Sequence, residues 1–344
     1  MKLKHKLLVS AISGLLVAPA AMAEDVMKVY GQVNISINNS SGDNMVGRSS
    51  GTDFNSNASR FGLMGSLGTT IPNTKMTYVA EMEYTTVGEN GADDDDDPVV
   101  FGREATVGLN NSNIGHLRMG RLTQMYKSNY ARMDPWTDHV LQARASGQQG
   151  ASALNANYFN NAVEFRSANF SGFEFSAFYS ANKNGQRLHN AGPLSDFEGG
   201  NAHGFGIRYI HSDFRIALDS NTIDAKEEGA TTNGTANKIT AEYKVSPQIS
   251  LGGHYEDVSD MNMGTNIFAV GAYRMGNALF TASYGLNQGG SDNRWGSEDA
   301  TTLGLGTKYK LNRRSDIIAG YSTHSRGNQD VSTFTVGFDA KFGY

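Results

Sequence analysis

The densest group of chemically capable side chains in the sequence is a run of five carboxylates directly before Pro98. The run consists of Asp93, Asp94, Asp95, Asp96 and Asp97. Carboxylate oxygens are the ligands that hard divalent cations prefer, so the run could hold such a cation. Most runs of like charge are solvated loop tips, which is the interpretation we favour. A divalent-cation site stays open as the second interpretation.

The residue types that carry catalysis occur without the spacing that catalysis needs. The chain has no cysteine, which excludes thiolate nucleophiles, thiolate metal sites and disulfides. It has eight histidines, and none of them opens the H-E-x-x-H pattern of a zinc hydrolase. We therefore expect no enzymatic activity and no cofactor.

Residues 1–23 have the layout of a secretory signal. Three lysines precede an apolar stretch from Leu7 to Ala21, and Ala21-Met22-Ala23 is a small-x-small cleavage site. The stretch is shorter than the roughly 20 residues that a membrane-spanning helix needs. Because the segment carries three lysines and no acid, its removal takes the formal net charge from −5 to −8. We expect an exported acidic protein that does not bind nucleic acid.

The elements that must position any functional residue are strands, because the rest of the chain alternates between apolar and polar side chains. In the stretch from Lys28 to Ile37, Val29, Val33 and Ile35 share one face, and Gln32, Asn34 and Ser36 share the other. Similar alternation recurs up to the last residue. Alternation of this kind is typical of strands whose two faces meet different environments.

We count sixteen such runs, separated alternately by tight turns and by longer polar loops. The runs lie near 27–37, 60–70, 74–87, 101–110, 114–122, 159–168, 172–181, 203–211, 214–220, 237–245, 248–256, 266–275, 277–287, 299–310, 315–323 and 331–344. The longer loops are predicted at 38–59, 88–100, 123–158, 182–202, 221–236, 257–265, 288–299 and 324–330. This alternation is typical of an antiparallel meander with short turns at one end and long loops at the other.

The polar faces of these runs carry many charges, while the apolar faces supply only one layer per strand. A soluble β-sandwich also alternates, but a single sheet of this kind can bury its apolar face in lipid by closing around a watery interior. The sequence therefore predicts an all-β fold. We expect residues 24–344 to form one 16-stranded antiparallel transmembrane β-barrel.

Six short motifs, in this order along the chain, resemble those of the general Gram-negative porins. They are V-Y-G-Q-V at 29–33, S-R-F-G-L-x-G at 59–65, R-E-A-T-V-G-L at 103–109, I-G-H-L-R-M-G-R at 114–121, N-A-V-E-F-R-S at 161–167 and V-G-F-D-A-K-F-G-Y at 336–344. The resemblance implies an outer-membrane diffusion channel that assembles as a homotrimer among lipid and lipopolysaccharide. It also implies that the third long loop, 123–158, folds into the barrel and narrows it.

The resemblance further implies that acids on this loop face arginines on the wall. Arg60 matches the arginine that opens the second strand, and Arg121 matches the one that ends the fifth. By position, Asp134 and Asp138 are the candidate loop acids. The remaining candidates for the narrow region and the lumen are Arg103, Arg144, Glu81 and Glu83.

Two of these candidates conflict with strict alternation. Arg121 shares a register with Leu117 and Met119, and Arg103 shares one with Val107 and Leu109, all of which should face lipid. A bulge, or a strand that ends before Arg121, would resolve the conflict.

Opposed charges across a narrow aqueous passage discriminate between ions and favour polar solutes. The inward charges of the predicted wall nearly balance, so we expect a near-neutral narrow region. The acids at 93–97 should then give a weak cation preference that fades as salt increases.

The alternatives to a general diffusion channel are a substrate-specific porin, an outer-membrane enzyme and a non-conducting adhesin or structural barrel. We expect a passive channel through which ions and small hydrophilic solutes diffuse.

Overall fold

The computed structural model describes residues 25–45, 50–84, 100–144, 149–182, 200–225, 233–289 and 297–343. The expected signal segment and the acidic run at 93–97 lie outside the described residues. No helix within the described ranges is both long and apolar enough to span a bilayer.

The described residues form seventeen strand segments that belong to one antiparallel sheet. The segments are β1 (Val26–Gly42), β2 (Gly51–Ser56), β3 (Arg60–Gly68), β4 (Thr74–Tyr84), β5 (Val100–Asn111), β6 (Gly115–Leu122), β7 (Phe159–Ser167), β8 (Phe173–Asn182), β9 (Gly200–Ile210), β10 (Phe214–Ala225), β11 (Gly234–Lys244), β12 (Ile249–Asp257), β13 (Thr265–Met275), β14 (Ala278–Gln288), β15 (Ala300–Asn312), β16 (Ser315–Arg326) and β17 (Gln329–Phe342). One α-helix, α1 (Met125–Met133), and short 3-10 helices at Ala153–Ala156 and Ser259–Met261 complete the described elements.

The sheet closes on itself as a barrel of sixteen strands. β1 pairs with β17 from Gly31 opposite Phe342 to Gly42 opposite Val331, which leaves neither strand as a free edge. β2 and β3 are the two halves of one strand, because both pair with β1 on either side of an interruption at 57–59. The Ser59 hydroxyl bridges the interruption by donating to the Asn34 carbonyl and accepting from the Asn34 amide. The predicted strand number and closed architecture are confirmed.

The alternation places apolar side chains outside and polar side chains inside. On β1, Val29, Val33 and Ile37 are exposed, whereas Asn34 and its inward neighbours are buried. A soluble protein shows the reverse arrangement, since its apolar face is the buried one. The outer surface is therefore suited to lipid and the interior to water.

Two predicted loops differ from the structure. Residues 51–56, expected within the first long loop, continue the barrel as β2. The last long connection, predicted at 324–330, is a tight turn between β16 and β17 in which Gly327 has a positive φ. In both places polar residues are part of paired strands, because an inward-facing side chain in this barrel need not be apolar.

The described part of the connection 123–158 packs against the inner wall instead of extending away from it. Its apolar side chains form three clusters with inward-facing residues, exemplified by Tyr126 with Ile223, Met133 with Phe268, and Trp136 with Ile318. These buried apolar clusters therefore lie inside the barrel, between this segment and strands from β7 to β16.

Candidate functional site

The inner segment turns at Asp134, directly after α1. The Asp134 carboxylate accepts hydrogen bonds from the Tyr130 hydroxyl, from the Trp136 amide at 2.8 Å and from the Ala143 amide at 3.0 Å. These donors lie before and after the turn, so one side chain fixes the whole bend. Asp134 is only 2% exposed, and burial raises the pKa of its carboxyl even though these hydrogen bonds oppose the rise.

Four residues further, Asp138 meets two arginines. Arg60, on β3, donates to Asp138 at 2.8 Å, and Arg144 donates to its other oxygen at 2.5 Å. Asp138 has a φ of 71°, a left-handed conformation that costs an aspartate less than it costs most residues. Burial opposes its ionisation, but Arg144, Arg103 and Arg60 together hold the pKa of this carboxyl well below its usual range.

The cluster continues along the wall from Arg60. Arg103 donates to Glu81 at 2.7 Å and also binds Glu83, while Arg60 lies 3.7 Å from Glu81. Arg60, Arg103, Arg144, Asp138, Glu81 and Glu83 thus form one connected group of three bases and three acids. The structure brings together six of the eight residues that the sequence singled out for the narrow region and lumen.

A bulge turns Arg103 inward. Between the pairs Ala80–Ala105 and Met82–Gly102, β4 supplies Glu81 alone while β5 supplies both Arg103 and Glu104. The extra residue on β5 shifts the alternation, which removes the conflict with Val107 and Leu109.

Arg121 lies beside this group. A second irregularity, after Gly120, sets it opposite the start of β7, where it donates to Asn160 at 2.7 Å and to the Gly102 carbonyl at 3.0 Å. Its guanidinium is 5.0 Å from the centre of the Tyr158 ring.

Three basic side chains lie around the ring of Tyr158. Besides Arg121, the Lys127 ammonium lies 3.5 Å and the Arg103 guanidinium 5.4 Å from the ring centre. Burial raises the pKa of the Tyr158 phenol to about 12. Burial, reinforced by Arg144 and Arg103, also holds the pKa of the Lys127 amine well below its usual value. The negative face of an aromatic ring is a favourable neighbour for such cations.

A cavity of about 430 Å³ lies between the bend of the inner segment and the wall. Its lining consists of Gln32, Arg60, Arg103, Lys127, Ala131, Arg132, Asp134, Pro135, Thr137, Asp138, His139, Arg144, Lys308, Asp339 and Lys341. Among these described residues, seven are arginine or lysine and three are aspartate. Glu81 and Glu83 do not line the cavity, and neither does Arg121.

The residues that line the cavity include more bases than acids, whereas the sequence predicts a near balance for the whole inner wall. Glu81 and Glu83 form ion pairs with Arg103 but are not among the residues that line the cavity. Lys308 lies 4.8 Å from the centre of the Trp136 ring and forms no ion pair within the described part of the chain. Alternation marks Lys308 as inward-facing, but only the position of Trp136 assigns it to the cavity.

Inward-facing glycines let the inner segment lie directly on the wall. A Cβ at Gly306 would stand 2.0 Å from the Trp136 ring, and one at Gly320 would stand 2.2 Å from Leu141. The Trp136 indole also donates to Thr281 at 2.8 Å. The segment therefore lies directly on β15 and β16, and the cavity is left between its bend, the arginines and Lys308.

The described residues contain no group of three or more His, Asp or Glu side chains arranged to hold a metal ion. The acidic run at 93–97 lies outside those residues, so its possible cation site stays a prediction.

An apolar outer belt around a closed sheet with a charged interior defines the class of transmembrane β-barrels. The family model of the Gram-negative porins matches residues 9–329, and the chain belongs to that family. It is an outer-membrane porin, as the resemblance in its motifs predicted.

Two curated relatives are outer-membrane proteins. The chain is 27% identical over 253 residues to an outer membrane porin protein of Bordetella pertussis, in an alignment covering 70% of this chain and 63% of the relative. The chain thus spans less than two thirds of that relative's length. It is 26% identical over 269 residues to the major outer membrane protein P.IB of Neisseria sicca, covering 70% of this chain and 74% of the relative.

Solved porin structures share the fold. The anion-selective porin from Comamonas acidovorans superposes with a TM-score of 0.66 at 17% identity, covering 93% of this chain and all of that one. In-vitro folded OmpT of Vibrio cholerae gives a TM-score of 0.63 at 15% identity, covering 94% of this chain and 99% of that one.

Proposed function

We propose that this porin is a passive diffusion channel for ions and small hydrophilic solutes, narrowed by residues 123–158. The observation that carries the proposal is the charged cavity between the bend of that segment and the arginine-bearing wall. Arg60 and Arg144 face each other across Asp138, so fixed charges of both signs border the passage. Charges held this way stabilise polar solutes and force apolar ones to shed ordered water.

A substrate-specific channel is less well supported than a general one. Recognition of a particular solute needs an accessible stacking surface or a dedicated set of polar groups. Three aromatic residues near the cavity, Tyr130, Trp136 and Tyr158, are only 0%, 2% and 4% exposed. They support the inner segment and the cation cluster, and offer little surface to a passing solute.

We further propose that the passage prefers anions. The excess of lysine and arginine in the cavity lining supports this, and the structural neighbour from Comamonas acidovorans is named as anion-selective. This replaces the weak cation preference expected from the sequence. Acids at 93–97 could still enrich cations at the mouth, but that effect reaches only about 10 Å at 0.1 M salt and about 3 Å at 1 M.

Planar-bilayer recording in potassium chloride gradients tests both proposals. We expect stepwise conductance, and reversal potentials that favour chloride more strongly when the mean salt is near 1 M than when it is near 0.1 M, since high salt screens the mouth first. Absence of conductance would contradict the channel, and a potassium preference at both salt levels would contradict the anion preference.

Lys308 offers a matched comparison on one strand. A unit charge about 5 Å from a passing ion is worth about 0.8 kcal/mol in water, or roughly a fourfold change for each ion. The change is in opposite directions for chloride and potassium, so the permeability ratio changes roughly sixteenfold before screening. We expect Lys308→Gln to lower the chloride-to-potassium ratio about twofold after screening. Lys310→Gln removes the same charge two residues further along β15, outside the cavity lining, and should change the ratio much less.

A further inference from the structure

One buried carboxylate on the wall opposite Arg60 contacts both limbs of the inner segment. Glu256, on β12, is fully buried and accepts four hydrogen bonds from the segment. The donors are the Tyr126 hydroxyl at 2.5 Å, the Ser152 amide at 2.7 Å, the Ser152 hydroxyl at 2.9 Å and the Asn155 amide group at 2.7 Å. No solvent competes for these bonds.

Lys238 completes this attachment from the neighbouring strand. It lies opposite Glu256 in the register of β11 and β12, and its ammonium donates to the Tyr126 carbonyl at 2.6 Å and to the Asn155 side-chain oxygen at 2.7 Å. Tyr126 belongs to α1, where the segment enters the barrel, whereas Ser152 and Asn155 lie where it returns. We call these five residues the clasp, because they join both limbs of the segment to the wall.

The clasp is connected to the cavity through direct polar contacts. The Asn155 carbonyl accepts from Arg144 at 2.7 Å, and Arg144 in turn binds Asp138. Asp138 binds Arg60 on β3. An unbroken series of hydrogen bonds therefore crosses the barrel interior from Glu256 on β12 to Arg60 on β3, and Arg144 and Asp138 form its middle.

We propose that Glu256 is a positioning residue that sets the ion selectivity of the passage through Asn155 and Arg144. This inference rests on the proposed channel function. Glu256 does not line the cavity, so it acts on permeating ions through the placement of the Arg144–Asp138 pair. With the clasp open, the wall no longer holds the Asn155 side chain, and the pair loses its fixed position.

Glu256→Gln is the first test. Both carboxylate oxygens accept hydrogen bonds, so one of them cannot be replaced by an amide NH₂ without setting two donors against each other. We expect slow current fluctuations in the open channel and a fall of at least about twofold in the anion-to-cation ratio. Glu174→Gln is the control, since it removes the same charge from the inner wall, where Glu174 binds Arg208 and Asn169 and none of the described residues of the inner segment.

Asn155→Ala is the second test, because it breaks the same series without changing any charge. Asn221→Ala is its control, because Asn221 is also a buried, inward-facing asparagine but lies on β10 and not on the inner segment. We expect Asn155→Ala to reproduce the fluctuations and the selectivity loss, and the double variant with Glu256→Gln to be no worse than the more affected single variant. Resistance of each barrel to heat in detergent serves as the folding check.

The outcomes separate the two proposals. A wild-type protein that inserts but does not conduct contradicts the channel function itself. If the wild type conducts and Glu256→Gln and Asn155→Ala behave like their controls, the positioning role is overturned while the channel function stands. If Glu256→Gln fails to fold, Asn155→Ala alone decides.

Discussion

The two acids of the inner segment, Asp134 and Asp138, have different environments four residues apart. Three arginines hold the pKa of Asp138 well below its usual value of about 3.9, so it stays ionised well below the pH at which an ordinary aspartate gains a proton. Its contribution is present above the ordinary pKa and lost only as pH falls through the lowered one. We expect the reversal-potential difference between wild type and Asp138→Asn to be unchanged from pH 7 to pH 4. Disappearance of the difference between pH 5 and pH 4 would contradict this.

Asp134, by contrast, holds the bend. In Asp134→Asn an amide NH₂ replaces one of two accepting oxygens, so either the Trp136 or the Ala143 amide loses its partner, at a cost of about 1–3 kcal/mol. We expect faster proteolysis within residues 123–158 than in wild type or in Asp138→Asn. Equal cleavage rates in the three proteins would show that the bend does not depend on Asp134.

At the scale of elements, the position of the inner segment depends on wall glycines. A valine at 306 would overlap the Trp136 ring, so we expect Gly306→Val to push the segment toward the cavity and lower single-channel conductance. In a Trp295→Phe background, Trp136 is the only tryptophan left, and its fluorescence should shift as the ring leaves its buried position. Gly271→Val is the control, because a Cβ there meets only Leu251, at 3.6 Å. Unchanged conductance and fluorescence in Gly306→Val would contradict the assignment.

At the scale of the whole molecule, closure of the barrel depends on β1 and β17. Opening this seam would leave backbone donors and acceptors unpaired in lipid, at several kcal/mol each. We expect deletion of residues 338–344 to abolish outer-membrane assembly and leave the protein in the periplasm. Normal outer-membrane yield of the truncated chain, measured by membrane fractionation, would contradict this.

Two further predictions concern the full-length protein. Mass spectrometry checks the predicted cleavage before Glu24, and sedimentation checks the proposed homotrimer.

Much of the architecture follows from the sequence alone. Two-residue alternation is a local property, so the strand number and the two faces of each strand could be read from runs such as Lys28–Ile37. The family motifs also predicted that Arg60 faces an acid of the inner segment, and Arg60 contacts Asp138 in the structure. The continuation of the barrel through residues 51–56 was missed, because an inward strand face in this barrel is polar and looks like a loop.

Only the tertiary structure decided which charges act together. The inward turn of Arg103 depends on a bulge, which the conflict with alternation indicated but which only the pairing of β4 with β5 locates. Asp134 and Asp138 look equivalent in the sequence, yet one meets backbone amides of its own bend and the other meets Arg60, 78 residues away. Lys308 reaches the cavity because Trp136 packs on Gly306 beside it. Such positions depend on contacts between residues far apart in the chain, whereas the alternation that defines a strand depends only on neighbours.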